Sequence, residues 1–350
     1  MNMTRGIRWS LLAAVLLVLP AGCGSDSSST RRVVVYVSAD EQIAREVLDA
    51  FQQRTGIDVL LIGDSEASKT TGLVQRLRAE HDAPIADVFW SSEAMQTIGL
   101  AGEGVLATCD DVDWPREHRD EGGRWFAFSP RPRVIVFDPA RLPASDRPAT
   151  WSDAVDGRFT DRIVMADPRF GTTGGHLAAM EVAWSAAGTP ERFDAFLDGL
   201  RRSRVRLLPG GNAAVVEAVA NGEADIGFTD ADDVRAARVR GLEVELLYPR
   251  HHEGVGGGTF LMPNTVAIVD GAPHPREARE LLSFLLSDET ARRLAASGSG
   301  NVPLQPAVAE AFPDLVVDDP LDVDLSEAAG RTPAVIRRTV EVLRESEAAP

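Results

Sequence analysis

At 350 residues, with 44% apolar and 25% charged side chains, the chain can build one large or two medium domains around a sizeable core, which excludes a wholly disordered protein. Its formal charge of −17 argues against a nucleic-acid partner, because a phosphate backbone is held by Lys and Arg. The same acidic surface draws cationic ligands by long-range attraction.

Chain order begins with a positive segment (Arg5, Arg8), an apolar run at 11–19 (LLAAVLLVL), and Pro20-Ala21-Gly22-Cys23. That run is too short to cross about 30 Å of hydrocarbon as a helix, so it reads as a cleaved signal. Small residues running into a cysteine resemble the bacterial lipoprotein signal, with Pro20 where that motif usually has Leu. The resemblance implies cleavage before Cys23 and acylation of its thiol. The protein would then be anchored by lipid on the periplasmic or cell-surface side of the cytoplasmic or outer membrane. Residues 1–22 are the signal and 23–32 the acylated cysteine with its serine-rich tether. Cys109 is then the one thiol left, so no intrachain disulfide forms.

From residue 31 strands and helices alternate. The continuous apolar run 33–37 (VVVYV) is a strand buried on both faces, as in a parallel sheet. Residues 40–54 carry Ile43, Val47 and Phe51 on one helical stripe, closed by Gly56. A strand at 57–62, a helix bearing Leu73 and Leu77, and a strand at 87–90 (DVFW) complete the first series. A second series has strands at 133–137, 162–166, 205–208, 224–229 and 242–248. Its helices are at 150–155, 174–187 and 212–221. A strand at 265–269 then leads into helices at 275–286 and 288–295. This rhythm predicts α/β architecture in two lobes, each a mixed sheet with flanking helices, with chain crossings near 126–136 and 258–266. The expected divisions are 33–130 plus 260–305 for lobe 1, 131–259 for lobe 2, and a C-terminal helical segment at 306–350. Ligands of such proteins sit in the cleft at the carboxyl ends of the strands.

Five stretches then align in order and spacing: VVVYVSADEQIAREVLDAFQQRTGIDV, ADVFWSSEAMQTIGLAGEGVL, RPRVIVFDPARL, GNAAVVEAVANGEADIGFTD and PNTVAIVDGAPHPREARELLSFLLS. Together they resemble the ferric-iron group of bacterial family 1 extracellular solute-binding proteins. The resemblance implies a type II periplasmic-binding-protein fold, a non-enzymatic receptor of an ABC importer, and an inner-membrane permease as partner. It also implies, as cargo, a metal cation with a synergistic anion. The paired tyrosines of that group are absent: their positions hold Asp232 and Asp233, the histidine position holds Asp40, and the acidic donor falls on Glu93, or on Ser92 if no gap is allowed. The chain's two tyrosines, Tyr36 and Tyr248, lie in other strands.

A carboxylate set at strand ends takes their place: Asp40, Glu93, Asp230, Asp232 and Asp233, with Asp232, Asp233 and Glu93 as metal donors. Such a set suits a hard cation or an ammonium group. Asp230 to Asp233 equally suit a helix start, as cap and first-turn acids. The turns GTTGG (171–175) and GGN (210–212) precede helices. Their backbone N–H groups, with Thr172, Thr173, Gly174 and Asn212, make an anion seat. A zwitterionic or anionic organic solute such as an aminophosphonate is the alternative cargo. His251-His252-Glu253 reads as a hinge-side surface loop. Arg131 and Arg133 could serve an anion or pair with local acids, and Lys69 either faces the cleft or starts a helix. The tryptophans at 90, 125, 151 and 184 are core or cleft wall. No Gly-x-Ser-x-Gly elbow, phosphate loop, zinc signature or dinucleotide fingerprint occurs, and no resident cofactor is expected.

Overall fold

The computed structural model describes residues 31–64 and 70–347; Cys23 and Lys69 lie outside the described residues. The first series is β1 (Arg32–Val37), α1 (Glu41–Thr55), β2 (Asp58–Gly63), α2 (Thr71–Ala79), β3 (Val88–Ser91) and α3 (Ala94–Gly102). After the long strand β4 (Phe126–Phe137) come β5 (Ile163–Ala166), α4 (Thr173–Ala186), α5 (Glu191–Arg202), β6 (Arg206–Leu208), α6 (Gly211–Ala220), β7 (Ile226–Asp230), α7 (Ala231–Val239) and β8 (Glu245–Leu247). The chain ends with β9 (Leu261–Ile268), α8 (Pro275–Leu285), α9 (Asp288–Ala296), α10 (Pro306–Ala309) and α11 (Leu325–Glu347). The helix expected at 150–155 is a short 3-10 turn, Asp153–Val155.

Strand order is β2-β1-β3-β9-β4-β7-β5-β6, with β8 also paired to β4. Strands β1, β2 and β3 are parallel, as are β5, β6 and β7. The long strands β4 and β9 run antiparallel between these two groups and join them. Fold class is therefore α/β with a mixed, curled sheet.

Each group of strands is covered on both faces, which explains the unbroken apolar runs. In β1, Val33, Val35 and Val37 enter one cluster with Phe51, Trp90 and Phe284, while Val34 and Tyr36 enter another with Leu77 and Phe89. On the second group, Trp151, Trp184 and Phe228 fill one face and Val134, Val164 and Val215 the other. Local signals end α1 as read from the sequence. Asp40 caps it by accepting from the Ile43 N–H at 3.1 Å, and Gly56 closes it at φ 67°, a conformation that favours glycine. The C-terminal α11 lies against α3, α4 and α5, and Glu181 of α4 pairs with its Arg331 and Arg338.

One irregularity matters for the site. The β4–β9 register shifts between Phe128 and Arg131, with Ser129 at φ 41°. This bulge brings Arg131 and Arg133 of one strand toward the ends of β3 and β7.

Candidate functional site

Where the two strand groups meet lies a cleft of about 720 Å³, part of it open to solvent, lined among others by Asp40, Arg131, Gly171, Thr172, Asn212, Asp232 and Asp233. The ends of β3, β5 and β7, the middle of β4 and the starts of α1, α4, α6 and α7 converge there.

Its floor is a buried charge network centred on Asp230. Arg133 stands directly opposite Asp230 in the antiparallel β4–β7 register, so the two side chains share a face. Arg133 Nη1 donates to Asp230 Oδ1 at 2.7 Å, and Arg133 is fully buried. On Oδ2, Thr172 Oγ1 donates at 2.9 Å, Asn212 Nδ2 at 2.9 Å and Arg131 Nη2 at 3.4 Å. Burial alone would raise the Asp230 pKa. The charges of Arg133 and Arg131, with hydrogen bonds from Arg133 and Thr172, outweigh it and hold the group below its ordinary value. Arg131 also donates to the Ser92 carbonyl at 2.7 Å and to Asn264 Oδ1 at 3.2 Å, and its Nε lies 3.2 Å from Asp232 Oδ2. Burial disfavours its charge, yet Asp232, Asp230 and Asp233 outweigh burial and raise its pKa. Both arginines thus pair with local acids, one of the two roles open to them in the sequence.

Placement of the carboxylates is mixed. Oxygens of Asp230, Asp232 and Asp233 lie within 4.8 Å of one another. Asp230 occupies the residue before α7, but its side chain makes no capping bond there, because the arginines hold it. Asp232 and Asp233, in the first turn of α7, and exposed Asp40 line the cleft. Glu93 does not: Ser92 lines it instead. The Glu93 carboxylate folds back to cap α3, accepting from the Met95 and Gln96 N–H groups at 3.1 and 2.8 Å. It lines a separate recess with Gly174, Gly175 and Ile336, and burial pushes its pKa up to about 7 against those backbone bonds. Gly174 belongs to that recess too. A Cβ there would collide with the Pro168 carbonyl and Ile336, so close packing demands this glycine.

The anion seat is also only partly assembled. Thr172 and Asn212 side chains are committed to Asp230, and Thr173 is buried in α4 outside the cleft. The glycines that line the cleft, Gly171 before α4 and Gly211 at the start of α6, present backbone to it beside Thr172 and Asn212. Neither helix has a capping side-chain bond, and first-turn N–H groups lack intrahelical acceptors.

One sequence reading changes here. His251 is buried rather than on a surface loop: its Nδ1 bonds the Gly258 carbonyl at 2.6 Å and its Nε2 lies 3.0 Å from His176 Nε2, beside Trp151. Burial drives the His251 pKa down to about 3 and that of His176 well below the usual range, so both rings are neutral. Glycines 256–258 hide this in the sequence, since they read as a surface turn. Phe170, Ile43 and Ser299 line the cleft without any sequence signal that marked them. Neither tyrosine lines it. The Tyr36 phenol donates to Glu80, and burial, aided by Glu80, raises its pKa; Tyr248 accepts from Arg235.

A family model described as bacterial extracellular solute-binding protein matches residues 33–299. The chain is 26% identical over 320 residues to the major ferric iron-binding protein of Neisseria meningitidis, covering 89% of this chain and 90% of that one. It is 25% identical over 248 residues to the "Putative 2-aminoethylphosphonate-binding periplasmic protein" of Salmonella typhimurium, covering 71% and 70%. Among solved structures, apo ferric ion-binding protein A of Pasteurella haemolytica superposes with a TM-score of 0.76 at 20% identity, covering 89% of this chain and 98% of that one.

Proposed function

This chain belongs to the bacterial extracellular solute-binding proteins, and we propose that it is the receptor of an ABC importer that traps a small solute bearing both a cationic and an anionic group. The reading includes a lipid anchor at Cys23, delivery to an inner-membrane permease, and no catalysis. One observation carries the choice of solute: Asp232, Asp233 and Asp40 line the same cleft as the uncapped starts of α4 and α6. Carboxylates take an ammonium group, and helix-start N–H groups take a phosphonate or carboxylate. The relative named for 2-aminoethylphosphonate supports this class.

A metal with its anion is the second reading, supported by the three clustered carboxylates and by the relatives named for ferric iron. The donor set favours it less. Asp230 is already held by two arginines, a guanidinium stands 3.2 Å from Asp232, and no tyrosine lines the cleft. Hard trivalent iron would find Asp232 and Asp233, with Asp40 as the other lining carboxylate, beside a fixed positive charge.

Calorimetry with 2-aminoethylphosphonate and with ferric citrate separates the readings. Replacing Asp232 and Asp233 together by Asn removes charge but keeps shape. With about 1.5–3 kcal/mol per charge-assisted contact, aminophosphonate binding weakens roughly a hundredfold or more. The unliganded melting point stays nearly unchanged. Unaltered affinity with a large loss of melting temperature would assign both residues to the helix start alone. A coloured ferric complex without aminophosphonate binding would establish the metal reading.

A further inference from the structure

A second recess opens off the lobe-1 side of the cleft. It is a small recess of about 20 Å³, shares Asp40, Ile43, Arg131, Asp232 and Ser299 with the cleft wall, and adds Trp90, Asn264, Leu294 and Asn301. Trp90 is 1% exposed, and its indole N–H has no hydrogen-bond partner among the described residues. An indole nitrogen can only donate, so this buried group calls for an acceptor oxygen.

The surrounding polar groups are fixed. Asn264 and Asn301, both at least nine-tenths buried, each donate one amide N–H to the Ser129 carbonyl, at 2.6 and 3.2 Å. Ser299 donates to Asn301 Oδ1 at 2.7 Å, and Trp90 packs on Phe128 with ring centroids 5.6 Å apart. The bulge at Ser129 is therefore braced by the same amides that line the recess. Each amide keeps a second N–H for another acceptor. At the mouth, Arg131 is held by Asp232 and Asp230, and Asp40 adds a carboxylate, so the recess offers an anion no uncompensated cation. Its apolar walls, Ile43, Leu294 and the Trp90 ring, suit carbon rather than a hydrated ion. A volume of about 20 Å³ holds about one water-sized group, enough for a single hydroxyl or carbonyl oxygen while the rest of the solute stays in the adjoining cleft.

We infer that this recess is a subsite for a neutral hydroxyl- or carbonyl-bearing portion of the solute, with Trp90 Nε1 donating to one of its oxygens. This deepens the charged-cleft reading and rests on it only in joining both ends in one molecule: the cargo is then a hydroxylated organic ion. A bare metal with a small anion would not use the recess.

Glycerol, neutral and hydroxylated, probes the recess without the charged cleft. In full-length protein labelled at its indole nitrogens, the Trp90 signal is the one lost in Trp90→Phe; if that variant fails to fold, sequential assignment of the wild type identifies it. The expected result is a saturable shift confined to the Trp90 N–H, retained when Asp232 and Asp233 are both Asn. Glycerol 3-phosphate should then bind at least tenfold tighter than inorganic phosphate, and Trp90→Phe should remove most of that advantage. A Trp90 signal that does not move, or that drifts linearly with the other tryptophans, overturns the subsite whatever the charged probes do. A saturable glycerol shift without any binding of 2-aminoethylphosphonate or glycerol 3-phosphate would instead overturn the charged-cleft reading.

Discussion

Replacing Asp230 by Asn tests whether the centre of the site is scaffold rather than ligand-binding surface. Asp230 is 1% exposed and receives four hydrogen bonds, two from arginines that are themselves buried. Asparagine keeps the shape but offers only one acceptor oxygen. Its amide N–H groups would face either Arg133 Nη1 or the donors Thr172, Asn212 and Arg131. Arg133, fully buried, would also lose its counter-charge. Breaking a buried pair by removing one partner costs about 3–5 kcal/mol. At about 2 °C per kcal/mol for a domain of this size, the melting temperature should fall by roughly 6–10 °C. Calorimetric or circular-dichroism melting at neutral pH reads the shift, and Asp232→Asn serves as a contrast, since that carboxylate is partly exposed and meets Arg131 at the network's edge. A change within about 2 °C for Asp230→Asn would refute the assignment of Asp230 to the scaffold.

Glu93 should make stability depend on pH in the direction opposite to most acids. Its folded pKa of about 7 lies above the ordinary value of 4.5, so between these values the folded state keeps a proton that the unfolded state releases, and stability falls as pH rises. The loss approaches about 3 kcal/mol across the window, and Glu93→Gln, which keeps an acceptor for α3, should escape it. Urea midpoints at pH 5 and pH 8 should therefore diverge in favour of the variant; a constant difference contradicts the burial argument. For Cys23, an alkyne fatty acid should label the wild type and not Cys23→Ser, and equal labelling of both removes the anchor.

Much of this protein was legible without coordinates because its signals are local. The run at 33–37 has to be buried on both faces whatever its neighbours, and it is divided between two core clusters. The stripe through Ile43, Val47 and Phe51, with Asp40 before it and Gly56 after it, specifies α1 by periodicity and capping alone. Placing acids at strand ends beside glycine-rich helix starts also needed only sequence order. Which of those acids meets solvent depended on strand pairing. Arg133 and Asp230, separated by 97 positions, stand opposite one another because β4 runs antiparallel to β7. No spacing rule reports that register, so Asp230 looked like a cap or a ligand and is the centre of a buried ion network. Glu93 and Ser92 are adjacent in sequence, yet one turns back onto its helix and the other lines the cleft. His251 follows the same logic, since a glycine-rich turn conceals a ring held between His176 and the Gly258 carbonyl. Burial and hydrogen bonding are satisfied by whatever lies nearest in space, and across a sheet whose neighbours are distant in sequence only the tertiary structure decides what that is.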